Sequence, residues 1–553
     1  FTQRRSLSAK LRAHSSNRSV SRGNLKLTDT PARSFKAYFT NLDLVLCVIV
    51  LAIAFGMRLE HFFTMPIDRL DESYHRWLIS VLTLQKNGVY TDLKPMPNFA
   101  LVWMPLFQYL TAFLMLVTRS TLIDVPRLLS LASGTITCAV AYLICLRIYS
   151  RRWFGVVGGL VLAFQPWHID YSTLATPEAL LGLMASAAIY FLLTDNWKAF
   201  SLFSALTMLT SYEGWFIVVF LLLVGWRYKK WSRTKIMLPA AMMLAIFLLW
   251  CSWSFTNTGQ PLAWFETYLS SIGWSPQIKD PSERLIFYTN ETLKMSFFLL
   301  ALGLFFGTMR GKETRAFAAL IVSYIAFYSL ATLFSLDPGY EGRLIPLMPI
   351  LALIVPSAFP KYSGRLRRRA VICFYLLLII LIPYVSLSWI FPEKVYVVSP
   401  EYRTGLWISE NASSGVILCD FPSIIYHSRL EPSRFLSYDY LAWYLEDPDP
   451  AKLESWLKEH NVGYIIWQEV PYSIGWKIFP QLVKEEYVKI GEDVFLILKP
   501  AESFELGHIK LTLVYEDSLR LHLAGPGFWE HDPAFGEPRV PDIFLYEVNY
   551  ASA

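Results

Sequence analysis

The sequence predicts a polytopic α-helical membrane protein, with about eleven transmembrane helices and an external α/β domain at its C-terminal end. Three observations carry this. Of 553 residues, 54% are hydrophobic, 16% aromatic and only 17% charged, with a mean hydropathy of +0.37, too apolar for an ordinary soluble globule. Lys and Arg recur in short clusters between apolar stretches, as they do in cytoplasmic loops. From about residue 392 the hydropathy changes to that of a soluble domain.

The same counts exclude several classes. Net charge is only +6, from 50 Lys and Arg against 44 Asp and Glu, so nothing points to a nucleic-acid partner. The six cysteines lie mostly in apolar segments without metal-type spacing, which indicates neither a disulfide framework nor a zinc site. Residues 1–40 hold nine basic residues against one acid, Asp29, and many serines. They read as a basic cytoplasmic tail, not a signal peptide.

The first span is predicted at 42–59, which puts the cluster Arg69-Leu70-Asp71-Glu72-Ser73-Tyr74-His75-Arg76 on the external side. Such a density of charge beside a bilayer is either a solvated loop or a site. Over 73–87, Tyr74, Trp77, Leu78, Val81 and Leu82 fall at helical spacing, which predicts a helix lying along the outer membrane surface. The apolar stretch 99–118 is counted as non-spanning, because counting it as a span would place Arg147, Arg151 and Arg152 outside. Further spans are then predicted at about 126–148, 153–167, 177–194, 198–210, 214–227, 235–255, 292–309, 316–335, 344–360 and 370–390.

Two external turns should be sunken, since a span needs roughly 20 residues and the legs around Ser211-Tyr212-Glu213-Gly214 and the leg before Trp167-His168-Ile169-Asp170 are shorter. Irregular backbone at that depth implies a protein-lined cavity open to the outside. Beyond it, 415–420, 462–467 and 494–498 read as short buried strands and 450–460 as a helix, with further strands at 509–515 and 543–548. The expected domains are therefore 1–40, 41–391 and 392–553.

The order of these motifs resembles the GT-C superfamily of integral-membrane glycosyltransferases, within it the dolichyl-phosphate-mannose protein mannosyltransferases and the bacterial aminoarabinose transferases. The likeness covers about residues 40 to 390. It rests on the acidic pair in Asp71-Glu72-Ser73-Tyr74-His75-Arg76, on a second external loop ending in Ala175-Thr176-Pro177-Glu178, and on Gly342-Arg343-Leu344-Ile345-Pro346 at the start of a late span. Oligosaccharyltransferases share the architecture, but their Trp-Trp-Asp-Tyr motif has no counterpart here after residue 390.

The resemblance implies an inverting glycosyltransferase that takes a sugar from a polyprenyl-phosphate donor and passes it to a glycan, lipid or protein acceptor at the external or luminal face. Asp71 would be the base, with Glu72 beside it. Such transfer also needs positive charge at the departing phosphate, and Arg343 is the candidate, against simple pairing with Asp337 or Glu341. Glu178 is either a site residue or the acid of a plain helix start, and Glu213 is expected at membrane depth. His168 and Asp170 are donor- or acceptor-binding candidates or an interfacial anchor, and His75 is such a candidate or a solvated residue on its helix. Asp71, Asp170 and Glu178 together offer oxygen ligands for a divalent cation, Mg or Mn. The alternatives are oligosaccharyltransferase-like transfer of a lipid-linked glycan and a non-catalytic lipid binder or transporter, for which no internal symmetry is evident.

Overall fold

Among the described residues, apolar helices come first along the chain and a sheet with flanking helices follows. The computed structural model describes residues 40–64, 71–86, 103–271, 280–296, 311–337, 339–358, 399–412, 414–438, 441, 449–468, 478–490, 493–517 and 542–550. Residues Leu46–Ala553 pack as one unit, and Phe1–Val45 is a unit of its own.

The helices are α1 Asn41–Thr64, α2 Asp71–Gln85, α3 Leu106–Thr118, α4 Asp124–Tyr149, α5 Arg152–Ala163, α6 Pro166–Tyr171 and α7 Glu178–Leu193. They continue as α8 Trp197–Thr210, α9 Glu213–Arg227, α10 Arg233–Thr258, α11 Ala263–Ser271, α12 Pro281–Ser296, α13 Lys312–Leu333 and α14 Leu347–Ile354. Among the described residues α1, α4, α10 and α13 are long and apolar enough to cross a membrane, and α3, α5, α7 and the stretch Leu347–Ser357 are shorter apolar helices. The predicted span 370–390 lies outside the described residues. Most of the span expected at 292–309 also lies outside the described residues, and a helix precedes it at Pro281–Ser296. Asp280 accepts the Ser282 N–H at 2.8 Å, and proline suits a first helical turn.

The short legs predicted around the sunken turns are short in the structure. α8 and α9 have 14 and 15 residues, about 21–23 Å at 1.5 Å per residue, against a hydrocarbon core of about 30 Å. α3 has 13 residues with Phe107, Gln108, Thr111, Ala112 and Met115 buried, while Phe113, Leu116 and Val117 are exposed on the other side. That one-sided apolar exposure suits a helix against lipid. α5 packs closely on α4 because Gly158 has no Cβ; one there would run into the Cys145 thiol.

The C-terminal part contains α15 Pro400–Asn411, α16 Pro422–Ser428 and α17 Pro450–Glu459 around a six-stranded mixed sheet. Its strands are β1 Val416–Leu418, β2 Phe435–Leu436, β3 Val462–Gln468, β6 Ser503–Leu506, β7 Ile509–Asp517 and β8 Ile543–Tyr550, and β4 Val483–Ile490 pairs separately with β5 Asp493–Pro500. The spatial order is β2-β1-β3-β8-β7-β6, parallel from β2 to β3 and antiparallel beyond.

Alternation along the strands makes two cores. Leu418, Leu436, Ile465, Trp467, Phe544 and Tyr546 face one side with α17. Ile417, Phe435, Ile466, Ile543 and Leu545 face the other, where they join α15, α16 and the apolar side of α2.

This corrects the expected surface position of α2. Every residue from 73 to 83 is buried, and Tyr74, Trp77, Leu78, Val81 and Leu82 pack into the core of the C-terminal sheet instead of into lipid. Burying that face against protein removes the same apolar area from water, so the helical pattern is satisfied either way. The opposite side, with Arg76, Ser80 and Thr83, is buried too.

Candidate active site

Glu72 and Arg76 of the first motif, Glu178 of the second and Arg343 of the last lie near Asp337 and Tyr340. Asp71 is the first residue of α2, but its side chain lies outside the described residues. Glu72 follows and is held rigidly. Arg76, one helical turn on, donates to Glu72 Oε1 from Nε at 3.0 Å and from Nη2 at 2.7 Å. Arg76 itself lies 3.9 Å over the Trp103 ring and is buried. The other Glu72 oxygen accepts from the Tyr340 hydroxyl at 3.4 Å. A carboxylate with both oxygens engaged keeps one orientation.

Glu178 begins α7, buried, with Glu72 and Arg76 the charges acting most strongly on it. Its Oε2 has no hydrogen-bond partner among the described residues. Tyr171 and Tyr340 lie with ring centroids 6.5 Å apart; Glu178 acts on both, and Glu72 acts on Tyr340. Burial pushes the Tyr340 phenol well above its ordinary value, and Tyr171, Glu72 and Glu178 add to that, so Tyr340 remains a hydrogen-bond donor.

Arg343 forms a second cluster a few residues along the same loop. It pairs with Glu213 and Asp337 and donates from Nη2 to the Tyr268 hydroxyl at 2.8 Å. Burial opposes its charge, but Asp337, Tyr268 and Glu213 outweigh that and hold its pKa well above the usual arginine value. The two clusters are linked through Tyr288, whose hydroxyl donates to Asp337 at 2.6 Å and accepts the Tyr340 N–H at 3.1 Å. Of the two readings of Arg343, pairing with Asp337 is present, with Glu213 as a second partner.

His168 and Asp170 are engaged by α1. Arg58 donates to His168 Nδ1, so the ring proton sits on Nε2, and that atom is buried with no partner among the described residues. His61 lies 3.2 Å from Asp170. Charges within a helical bundle need partners, and these two residues hold the turn and do not merely anchor it to an interface. Arg127 completes the clamp, donating to the Thr173 and Phe62 carbonyls at 2.8 Å each. Contacts from α1 and α4 thereby hold the turn that carries Tyr171 and leads to Glu178. His75 faces Trp103 at 6.0 Å, buried beside Arg76 and not in solvent.

Asp170 is engaged by His61, and among the described residues no three His, Cys, Asp or Glu side chains are grouped to hold a metal ion. Of the three ligands expected for a cation, Asp71 has its side chain outside the described residues. Arg58, His61, Tyr171, Asp337 and Tyr340 were not evident as site residues. Arg58 had a signal, a charge within the predicted apolar span; the tyrosines had none.

No family model and no curated protein sequence matches the chain. Solved structures do. The oligosaccharyltransferase AglB from Archaeoglobus fulgidus, in complex with an inhibitory peptide and a dolichol-phosphate, superposes with a TM-score of 0.52 at 11% identity, over 84% of this chain and 74% of that one. ArnT from Cupriavidus metallidurans bound to undecaprenyl phosphate gives 0.52 at 12% identity, over 83% of this chain and 97% of that one. Its apo state gives 0.51 at 12% identity, over 82% and 97%. The fold of this chain is the one shared by AglB and ArnT.

Proposed function

We propose that the chain is an inverting glycosyltransferase that moves one sugar from a polyprenyl-phosphate donor to an acceptor hydroxyl on the external or luminal face of a membrane. The observation that carries this is the loop 337–343, which holds Arg343 at one end and Tyr340 against Glu72 at the other. Positive charge for a departing phosphate and carboxylates for an acceptor hydroxyl are thus built into one wall. The neighbouring folds described with dolichol-phosphate and undecaprenyl phosphate support a lipid-linked donor.

In this reading Asp71 takes the acceptor's hydroxyl proton as its oxygen forms the new bond to the anomeric carbon. The bond from that carbon to the phosphate oxygen breaks, and its electron pair leaves with the lipid phosphate toward Arg343. Attack opposite the leaving group inverts the configuration. Glu72 and Glu178 orient the acceptor, and Arg76 and Tyr340 hold Glu72. The segment 1–40 is assigned to a cytoplasmic tail, 41–391 to the catalytic module and 392–553 to an external domain. A Mg or Mn ion among Asp71, Asp170 and Glu178 is left out of these steps.

Transfer of a whole lipid-linked glycan is the second reading, supported by the likeness to AglB. The ArnT fold is matched over 97% of its length and AglB over 74%, which favours the first. Purified protein in detergent, given labelled polyprenyl-phosphate monosaccharides and candidate acceptors, should show transfer. Transfer only from a pyrophosphate-linked glycan to peptide would establish the second reading instead.

A further inference from the structure

We infer that the Glu213 carboxylate holds the place of a lipid phosphate on Arg343, and that Glu213 and the phosphate exchange there. The inference rests on the proposed role of Arg343 and adds a competitor built into the chain.

Arg343 has no spare side. Its Nη1 faces Glu213, its Nε faces Asp337 and its Nη2 donates to Tyr268 at 2.8 Å. Two carboxylates against one guanidinium leave the cluster with a net negative charge, at a place where little water screens it. A phosphate group carrying one or two charges of the same sign is repelled from such a cluster until one carboxylate leaves.

The structure indicates which one leaves. Asp337, with a side chain 1% exposed, also accepts from the Tyr288 hydroxyl at 2.6 Å, the Gly339 N–H at 2.9 Å and the Tyr268 hydroxyl at 3.4 Å. Glu213, at 11% exposed, has among the described residues only the Ser211 hydroxyl besides Arg343. Removing Asp337 would leave several donors unsatisfied, whereas removing Glu213 frees one side of the Arg343 fork and little else. Glu213 is also the first residue of α9, where the helix dipole favours an anion, and a phosphate taking its place inherits that preference. Asp337 is then the fixed partner that keeps Arg343 aimed, and Glu213 the exchangeable one.

The test is direct binding of farnesyl phosphate to the purified full chain in detergent, with farnesol and inorganic phosphate as controls. Glu213→Gln keeps the shape and removes the competing charge, so farnesyl phosphate should bind about tenfold more tightly, about 1.4 kcal/mol. Farnesol should be unaffected, and inorganic phosphate should shift in the same direction at weaker affinity. Asp337→Asn should bind no more tightly than wild type. Ser211→Ala, which loosens Glu213 without touching Arg343, should tighten binding by a smaller factor and serves if the Gln variant does not fold.

Unchanged or weaker binding in Glu213→Gln and Ser211→Ala would overturn the inference. Equal tightening in Glu213→Gln and Asp337→Asn would also overturn it, since charge alone would then account for the effect. Sugar transfer assayed in parallel separates the two readings: tighter phosphate binding with no transfer from any donor keeps the exchange and removes the transferase, and transfer with unchanged binding does the reverse.

Discussion

Tyr74, on the helix that begins with Asp71 and Glu72, is hydrogen-bonded through its hydroxyl to His427 Nε2 of the C-terminal domain at 3.1 Å. The contact is the centre of a shared core. Trp77 lies edge-on to Tyr426 at 5.0 Å and donates its indole N–H to the Thr121 carbonyl at 2.6 Å. The sheet therefore seats the segment that carries the proposed base.

Trp77→Ala should cost about 3–5 kcal/mol, the usual loss for a buried aromatic, and lower the unfolding temperature of the whole chain. Tyr74→Phe, which removes one hydrogen bond and little volume, should cost about 0.5–1.5 kcal/mol. Differential scanning fluorimetry in detergent measures both. An unchanged Tm for Trp77→Ala would show that the two parts do not share this core.

The second prediction concerns Gly134 on α4. A Cβ at that position would overlap the Ser172 side chain and come within 3.0 Å of the Arg58 guanidinium. Gly134→Ala should therefore destabilise the chain by about 1–3 kcal/mol, as overpacking does. Ser172→Gly should restore the stability. Ser172→Ala should not, because the Ser172 Cβ itself lies 2.6 Å from the added atom. Equal rescue by both would place the clash elsewhere.

Tyr340→Phe should reduce kcat by a few-fold to about tenfold, the worth of one hydrogen bond holding Glu72, with KM for the donor nearly unchanged. The phenol's pKa is raised, and for an acid that extends the protonated, donating form to higher pH. The loss should therefore be the same from about pH 6 to about pH 9, where an ordinary phenol also stays protonated. A defect that shrinks within that window would mean that the hydroxyl ionises and does not donate to Glu72.

Much of this architecture was legible in the residues, and what was not has a physical cause. The strands near 416, 462, 509 and 543 and the helix at 450 announce themselves by apolar alternation or helical spacing. β2, two residues long, carries no periodic signal. The pattern on α2 identified its apolar face correctly but not its cover, since lipid and a protein core ask for the same side chains. Arg343 invited either a phosphate or a near neighbour as partner; Glu213, 130 residues away, becomes a partner only through the packing of α9 beside α13. His168 and Asp170 are engaged by Arg58 and His61 of α1, partners more than 100 residues away that no local pattern announces.

The most direct test of the central claim is sugar transfer by Asp71→Asn measured beside wild type, with labelled polyprenyl-phosphate sugar and acceptor in excess. Removing a general base should lower turnover by about 10²–10⁴-fold while the unfolding temperature stays within a degree or two of wild type. A folded Asp71→Asn protein that transfers sugar at the wild-type rate would contradict the account.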